Sequence, residues 1–564
     1  MLRVLVKRNN LFLLALVLVL ALVLRFYQLG SNPSGALVDE AHFGYLAHSL
    51  NQTGRDEHGQ TFPLIFKGFG DDKLPLQVYL MMPVVKLFGL NNFSLRFWSA
   101  ISGVGVVLAV YLISHQLTKN NSVALMTSLA AALTPWSLVL SRFGYESHLA
   151  LLLFSFGLWA LLRAVNLKSK MWWFVAVGLM AATWYGYVAY RLITFGFLLI
   201  AGLLICRHRR LGWKTIIQGW LFYLILVSPF ILLGSGGSAT RFTQLFGDTF
   251  YSATLEINEA RTFCQTQFPR PICDLVANKP VILSRIFVNR FFSVFSSDYL
   301  VRFGEKNLDY LSVTNFGPLL YPSFFLFLVG IGQALVGLVT KRSSLRDQLL
   351  LTATFLAPLP AVLVGDPQKV RMSGLLVLIL SWSALGLQLG LKFKLKKYLI
   401  SLIILATVYL GMSFYIYFLG VHTQRKETAF GSHLPRLFSV LNQLDSPEKL
   451  IVTLPIYSDL VMYYAYFNQV DPQFYQDNVV LGELEASGFQ HAVGLDRLRI
   501  AGIEFEEANC LALAEGKELL YVTDRITKGE LVAEIKSING VHRLVGFYQP
   551  LSDFDDQVCR RYQE

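Results

Sequence analysis

Long apolar runs separated by short polar turns dominate the first three quarters of the chain. A helix needs about 20 mostly apolar residues to cross a hydrocarbon core. By that length the pattern predicts eleven spans, over 9–27, 95–117, 122–140, 148–166, 171–188, 191–206, 213–234, 314–339, 348–364, 372–391 and 398–419. The stretch 75–89 is apolar too, but Pro75, Pro83 and Lys86 mark it as a surface-lying or re-entrant segment. After about 420 the pattern changes. Strand-like runs ("KLIVTLP", "ELLYVTD", "HRLVGFYQ") alternate with helical ones, which reads as an α/β domain. The expected organisation is a multi-pass membrane domain over 1–420, followed by a soluble α/β domain over 421–564.

Composition agrees. The 564 residues are 54% hydrophobic and 15% charged, against about 25% charged in soluble proteins. The net charge of +12 would suit nucleic acid, but the cations sit in short turns between spans, where they act as an orientation signal. Nucleic acid is therefore not an expected partner; the bilayer is. With the N-terminus inside, the inner turns hold Lys119; Arg163, Lys168 and Lys170; Arg207, Arg209, Arg210 and Lys214; Lys341, Arg342 and Arg346; and Lys392, Lys394, Lys396 and Lys397. Asp347 is almost their only acid. The first run lacks a cleavage site directly after it, so it reads as an uncleaved helix. The loops 28–94 and 235–313 and the C-terminal domain then face outward. That places the chain in a cytoplasmic (inner) membrane.

The five cysteines fit this map. Cys264 and Cys273 share an outer loop, Cys510 and Cys559 share the outer tail, and Cys206 lies beside an inner turn. Two outer pairs suit disulfides in an oxidising compartment, and no spacing resembles a zinc cluster.

Ionisable groups recur in the outward turns. The first loop holds Asp39, Glu40, His42, Asp71, Asp72 and Lys73; "SRFGYESH" supplies Arg142, Glu146 and His148. "YGYVAYR" supplies Tyr187 and Arg191, the long fourth outer loop Arg241, Asp298 and Arg302, and "GDPQKVR" Asp366, Lys369 and Arg371. Each has an ordinary explanation. Asp39 and Glu40 suit the start of a helix, the cations suit headgroup anchoring, and the tyrosines suit an interfacial belt. Their joint recurrence suggests more: carboxylates as general base for a hydroxyl and cations for a departing phosphate.

The order "VDEAHFGYLAHSL" then "DDKLPLQVYLMMPVVKLFGLNNFSLRFWSAISG" resembles the first outer loop of GT-C glycosyltransferases. It is most similar to the protein O-mannosyltransferase and lipid A aminoarabinose transferase groups. They share an acidic pair after the first helix, a Lys-Pro-Pro-Leu stretch and a Gly-to-Arg entry into the second helix. The matching positions here are Asp39-Glu40, Lys73 to Leu76, and Gly89 with Arg96, with Leu74 standing where the pattern has its first proline. "SRFGYESHLALLLF" and "FFSVFSSDYLVRFG" resemble later outer loops.

The resemblance spans about 1–420. It implies transfer of a sugar from a polyprenyl-phosphate donor to an outer acceptor hydroxyl, with inversion. By that resemblance Asp39 would be the base, with Glu40 beside it. Lys73, Arg142, Arg191 and Arg371 would hold the donor phosphate, and His42, Asp72, Glu146, Tyr187 and Asp298 would contact substrate. A divalent metal, used by some relatives, could be held by Asp72 with a histidine, and the loop 235–313 is the candidate cover. The rivals are a lipid-linked glycan ligase or polymerase, a transporter or flippase, and a membrane anchor for the tail. Few mid-span charges and no internal repeat speak against transport.

Overall fold

The computed structural model describes residues 8–68, 72–232, 236–305, 310–392, 396–454, 459–483, 490–551 and 559. Asp71 and the side chain of Arg241 lie outside that description. The chain divides into two compact units, one of residues 1–27 and 98–418, the other of residues 28–97 and 419–564.

The first unit is helical. Eight helices among the described residues are long and apolar enough to cross a membrane: Asn9–Phe26, Asn92–Thr118, Glu146–Leu167, Ala189–Arg207, Trp213–Leu232, Tyr321–Val339, Leu345–Val364 and Lys396–Arg425. The expected eleven is therefore corrected to eight. The other three are shortened for local reasons. Over 122–140 the helix Asn121–Leu133 stops before Pro135, which opens the separate helix Pro135–Leu140. Thirteen residues rise only about 20 Å, short of a hydrocarbon core of about 30 Å. Over 171–188 the helix Lys170–Ala182 tightens into a 3-10 turn, Thr183–Tyr185. Over 372–391 the helix Gly374–Gly390 has 17 residues.

Helices Tyr321–Val339 and Gly374–Gly390 approach with backbones in contact. A Cβ on Gly330 would lie 2.0 Å from the Trp382 carbonyl oxygen, and one on Gly386 2.0 Å from that of Leu326. Small residues permit this approach, as at many membrane helix interfaces. The long loop before Tyr321 is itself largely helical (Gly236–Gln265, Arg270–Val276, Lys279–Ser293). Its Cys264–Cys273 disulfide is formed, and so is Cys510–Cys559 in the other unit; Cys206 is a free thiol.

The second unit is built on a seven-stranded sheet in the order β2-β3-β4-β1-β5-β7-β6. The strands are β1 (Lys449–Thr453), β2 (Val479–Leu481), β3 (Ala492–Leu495), β4 (Leu498–Ile500), β5 (Glu518–Thr523), β6 (Glu530–Lys536) and β7 (Arg543–Gln549). Central β1 runs parallel to β4 and β5, and the other pairings are antiparallel. Successive residues of a strand face opposite sides, and the core follows that rule. Leu450, Val452, Leu519 and Tyr521 pack on the helix Phe505–Ala514. Ile451, Leu520, Val522 and Phe547 face a larger core, shared with Phe43, Leu46, Leu50, Val78 and Met81 of the first loop. The 28–97 segment is thus part of the α/β fold, with helices Val38–Thr53 and Pro75–Phe88 covering one face of its core. Contact is close enough that a Cβ on Gly35 would lie 2.1 Å from the Gly431 backbone.

Candidate active site

The helix Val38–Thr53 carries the acidic pair in its first turn. Its N-cap is Leu37, whose amide donates to Glu40 Oε2 at 2.9 Å. One terminal amide is thereby satisfied by a side chain three residues on, as in the reaching-back half of a capping box. Glu40 is fully buried and grips Arg96, with Nε–Oε1 3.0 Å and Nη2–Oε2 3.2 Å. Arg96 also donates through Nη1 to the carbonyls of Leu29 (3.0 Å) and Pro33 (2.8 Å), and through Nη2 to Gly35 (2.6 Å). Its five N–H donors thus hold the turn that aims the helix.

With the cap supplied by Glu40, Asp39 is left for another partner. It is half-buried and accepts from Lys73 Nζ. Lys73 is itself fixed. Its backbone pairs with Phe66 in both directions (2.8 and 3.1 Å), and its ammonium lies 5.5 Å from the centre of the Phe43 ring.

The structure surrounds several of the expected site residues with other groups of the protein. Glu40, expected beside the base in catalysis, is enclosed with Arg96. His42, expected to contact substrate, is buried and bound to Glu57 at 2.7 Å, inside its own unit. Arg142, expected at the phosphate, is fully buried; its Nη1 donates to the carbonyls of Leu24, Arg25 and Tyr27 at 2.9–3.2 Å. A cation there closes the C-terminal end of the first helix. Asp298 is exposed and paired with Arg302 at 2.9 Å.

Other expected residues stay partly accessible. Arg191 is half-buried, with its guanidinium 4.8 Å from the Phe230 ring centre and 5.6 Å from that of Trp184. Arg371, Glu146, Tyr187 and Asp72 are half-buried. The sequence reading gave no role to Glu305. It is buried and accepts from the Lys369 backbone amide, while Lys369 Nζ donates to the Leu311 carbonyl. Burial pushes the Glu305 carboxyl up and the Lys369 ammonium down, each opposed by the charge of the other. An acid followed by a lysine 64 residues later carries no local pattern that would have revealed the pair. Among the described residues no three His, Cys, Asp or Glu side chains gather as a metal site, so the suggested grouping of Asp72 with a histidine has no such counterpart.

Residues 72–233 match the family model of dolichyl-phosphate-mannose-protein mannosyltransferases. No curated protein sequence matches the chain. Solved structures do. Apo ArnT from Cupriavidus metallidurans is 12% identical, with 94% of this chain and 97% of that one covered, at a TM-score of 0.55. ArnT from the same organism bound to undecaprenyl phosphate gives 12%, 94%, 97% and 0.53. The oligosaccharyltransferase AglB from Archaeoglobus fulgidus, in complex with an inhibitory peptide and a dolichol-phosphate, is 13% identical, with 92% and 69% covered, at 0.52. At such identities the likeness is one of fold: the chain shares the fold of ArnT and AglB.

Proposed function

We propose that this protein is an inverting membrane glycosyltransferase. It moves a sugar from a polyprenyl-phosphate donor to a hydroxyl of a protein, lipid or glycan on the outer side of the cytoplasmic membrane. The observation that carries this reading is the Asp39–Lys73 pair at the start of the helix Val38–Thr53, a base and a phosphate-binding cation side by side. The donor class is supported by the relatives: ArnT has been solved with undecaprenyl phosphate, AglB with a dolichol-phosphate, and the matching family model is named for dolichyl-phosphate-mannose.

In this reading a donor phosphate competes for the Lys73 ammonium and releases Asp39. The Asp39 carboxylate takes the proton of the acceptor hydroxyl. The acceptor oxygen bonds to the anomeric carbon from the face opposite the phosphate. The carbon–oxygen bond to phosphate breaks, and its electron pair leaves on polyprenyl phosphate. Lys73 stabilises the charge that builds there. A phosphate leaves readily, so this step has no place for the protonating second carboxylate of glycoside hydrolysis. The burial of Glu40 fits that chemistry, because a single accessible acid suffices.

Purified protein incubated with a panel of polyprenyl-phosphate sugars and a cell-envelope fraction, read by mass spectrometry, tests the proposal. Asp39→Asn is expected to lower transfer at least about 100-fold while the protein still folds and inserts. Retention of more than about a tenth of the activity defeats the base assignment. Because AglB fits nearly as well as ArnT, the panel includes polyprenyl-diphosphate glycans. Transfer from those alone selects the ligase reading.

A further inference from the structure

A cavity of about 470 Å³ opens among the helices Tyr321–Val339, Leu345–Leu356 and Gly374–Gly390, at the end where the first of them turns back. Its apolar floor includes Gly330, Ala334 and Gly337. Gly330 packs against the Trp382 backbone, while Ala334 and Gly337, with little or no side chain, leave a trough along one helix. Around its mouth stand Gln333, Thr340, Arg342, Ser344 and Arg346.

The mouth is cationic. Between Lys341 and Arg346 the turn has three basic residues and no acid. The one acid among the lining residues, Asp347, accepts from the Ser344 hydroxyl at 2.6 Å and its amide at 3.2 Å. That helix N-terminus is therefore already capped, and its carboxylate is committed to the cap. Arg346 donates to the Leu117 carbonyl at 3.2 Å, which anchors it at the rim. Arg342 is exposed.

The cavity lies at the opposite end of Tyr321–Val339 from the turn that holds Glu305 and Leu311. Nineteen residues separate the two ends by about 28 Å. The outward acids and cations of that unit are not part of it.

We propose that this cavity is a site for an anionic diacyl phospholipid. An acyl chain lies along the Ala334–Gly337 trough, and the phosphate meets Arg342 and Arg346. The charge of the mouth selects the class: a zwitterionic lipid offers the same chain but no net anion. A basic pocket between membrane helices is a recognised form of such a site. The bound lipid fills the cavity beside these helices, and so stabilises the bundle by mass action.

The test is native mass spectrometry of the full chain released from detergent with equimolar phosphatidylglycerol and phosphatidylcholine. Wild type is expected to retain phosphatidylglycerol in preference. Arg342→Gln is expected to weaken that preference by about fivefold, the effect of one surface cation on an anionic lipid. Gly337→Leu fills the trough and is expected to remove both lipids. A Cβ at that position meets only ordinary contacts, 3.6 Å to the Ser343 backbone, so the variant is expected to fold. Phosphatidylglycerol is expected to raise the melting temperature of wild type most, of Arg342→Gln less, and of Gly337→Leu not at all. Equal retention of the two lipids by wild type overturns the proposal. So does a full preference surviving in both variants, or a melting shift reproduced by inorganic phosphate alone.

Discussion

Arg96 and Glu40 form a fully buried ion pair in which each N–H of the guanidinium has an acceptor. Such pairs bring little net stability when intact, because desolvation offsets attraction, but breaking one strands a buried charge at a cost of about 3–5 kcal/mol. Glu40→Gln is therefore expected to lower the melting temperature of the purified protein clearly. An unchanged melt would show that the turn 29–35 does not depend on the pair. His433, at the start of the helix Leu434–Leu444, behaves differently. Burial, helped by the charge of Arg436 and opposed by a hydrogen bond to the Glu427 backbone, lowers its pKa to about 4. Below its ordinary value near 6.5 the unfolded chain takes up a proton that the folded chain refuses. Stability is thus complete above about pH 6.5 and falls as pH drops toward 4, by on the order of 3 kcal/mol. His433→Gln is expected to flatten that part of a melting-temperature profile, and an identical slope would exclude His433 as its source. At this scale the sequence showed which residues were chemical but not what they faced. Arg142 and Lys73 are both cations in the polar stretches between apolar runs. Only the fold reveals that one closes a helix end while the other reaches a carboxylate.

The Gly330–Gly386 contact sets the spacing of two helices. The atom opposing a Cβ on Gly386 is a backbone oxygen 2.0 Å away, which cannot swing aside. Gly386→Ala should part the helices and cost roughly 1–3 kcal/mol. Gly390→Ala meets the end of the Leu399 side chain at 3.3 Å, which can give, and serves as the control. Equal thermal unfolding of the two variants in detergent would rule out the tight contact. Helices of full length were legible from hydropathy alone, since eight of the eleven expected spans match one. The three that do not match are broken by features a hydropathy window averages away: Pro135 opening a new helix, a 3-10 turn at Thr183–Tyr185, and a helix ending at Gly390. The strand-like runs at Lys449, Glu518 and Arg543 became β1, β5 and β7. Short β2, β3 and β4, three or four residues each, carried too little pattern to be seen.

Across the whole molecule, orientation is the property most open to direct measurement. With four of the five cysteines in disulfides, Cys206 is the one free thiol, and it precedes the basic turn Arg207–Arg210 that positive-inside bias would keep in the cytoplasm. A membrane-impermeant maleimide should label it only after the inner membrane is permeabilised. Labelling of intact spheroplasts would invert the topology. The cysteine distribution was readable from sequence because compartment, not geometry, governs it. The membership of 28–97 in the α/β unit was not, because the contacts joining it to the tail are separated by hundreds of residues and have no periodic signature.

That membership has a consequence for biosynthesis. The segment carrying Asp39 is made early, but the sheet it covers is encoded after residue 418, and the 321 residues from 98 to 418 come between. At roughly 5–20 residues per second, the ribosome needs about 16 to 64 seconds to reach it. Throughout that interval Phe43, Leu46 and Leu50 have no sheet core to cover, so the nascent chain must pass through a stage at which the helix Val38–Thr53 depends on a chaperone or the bilayer surface for shelter.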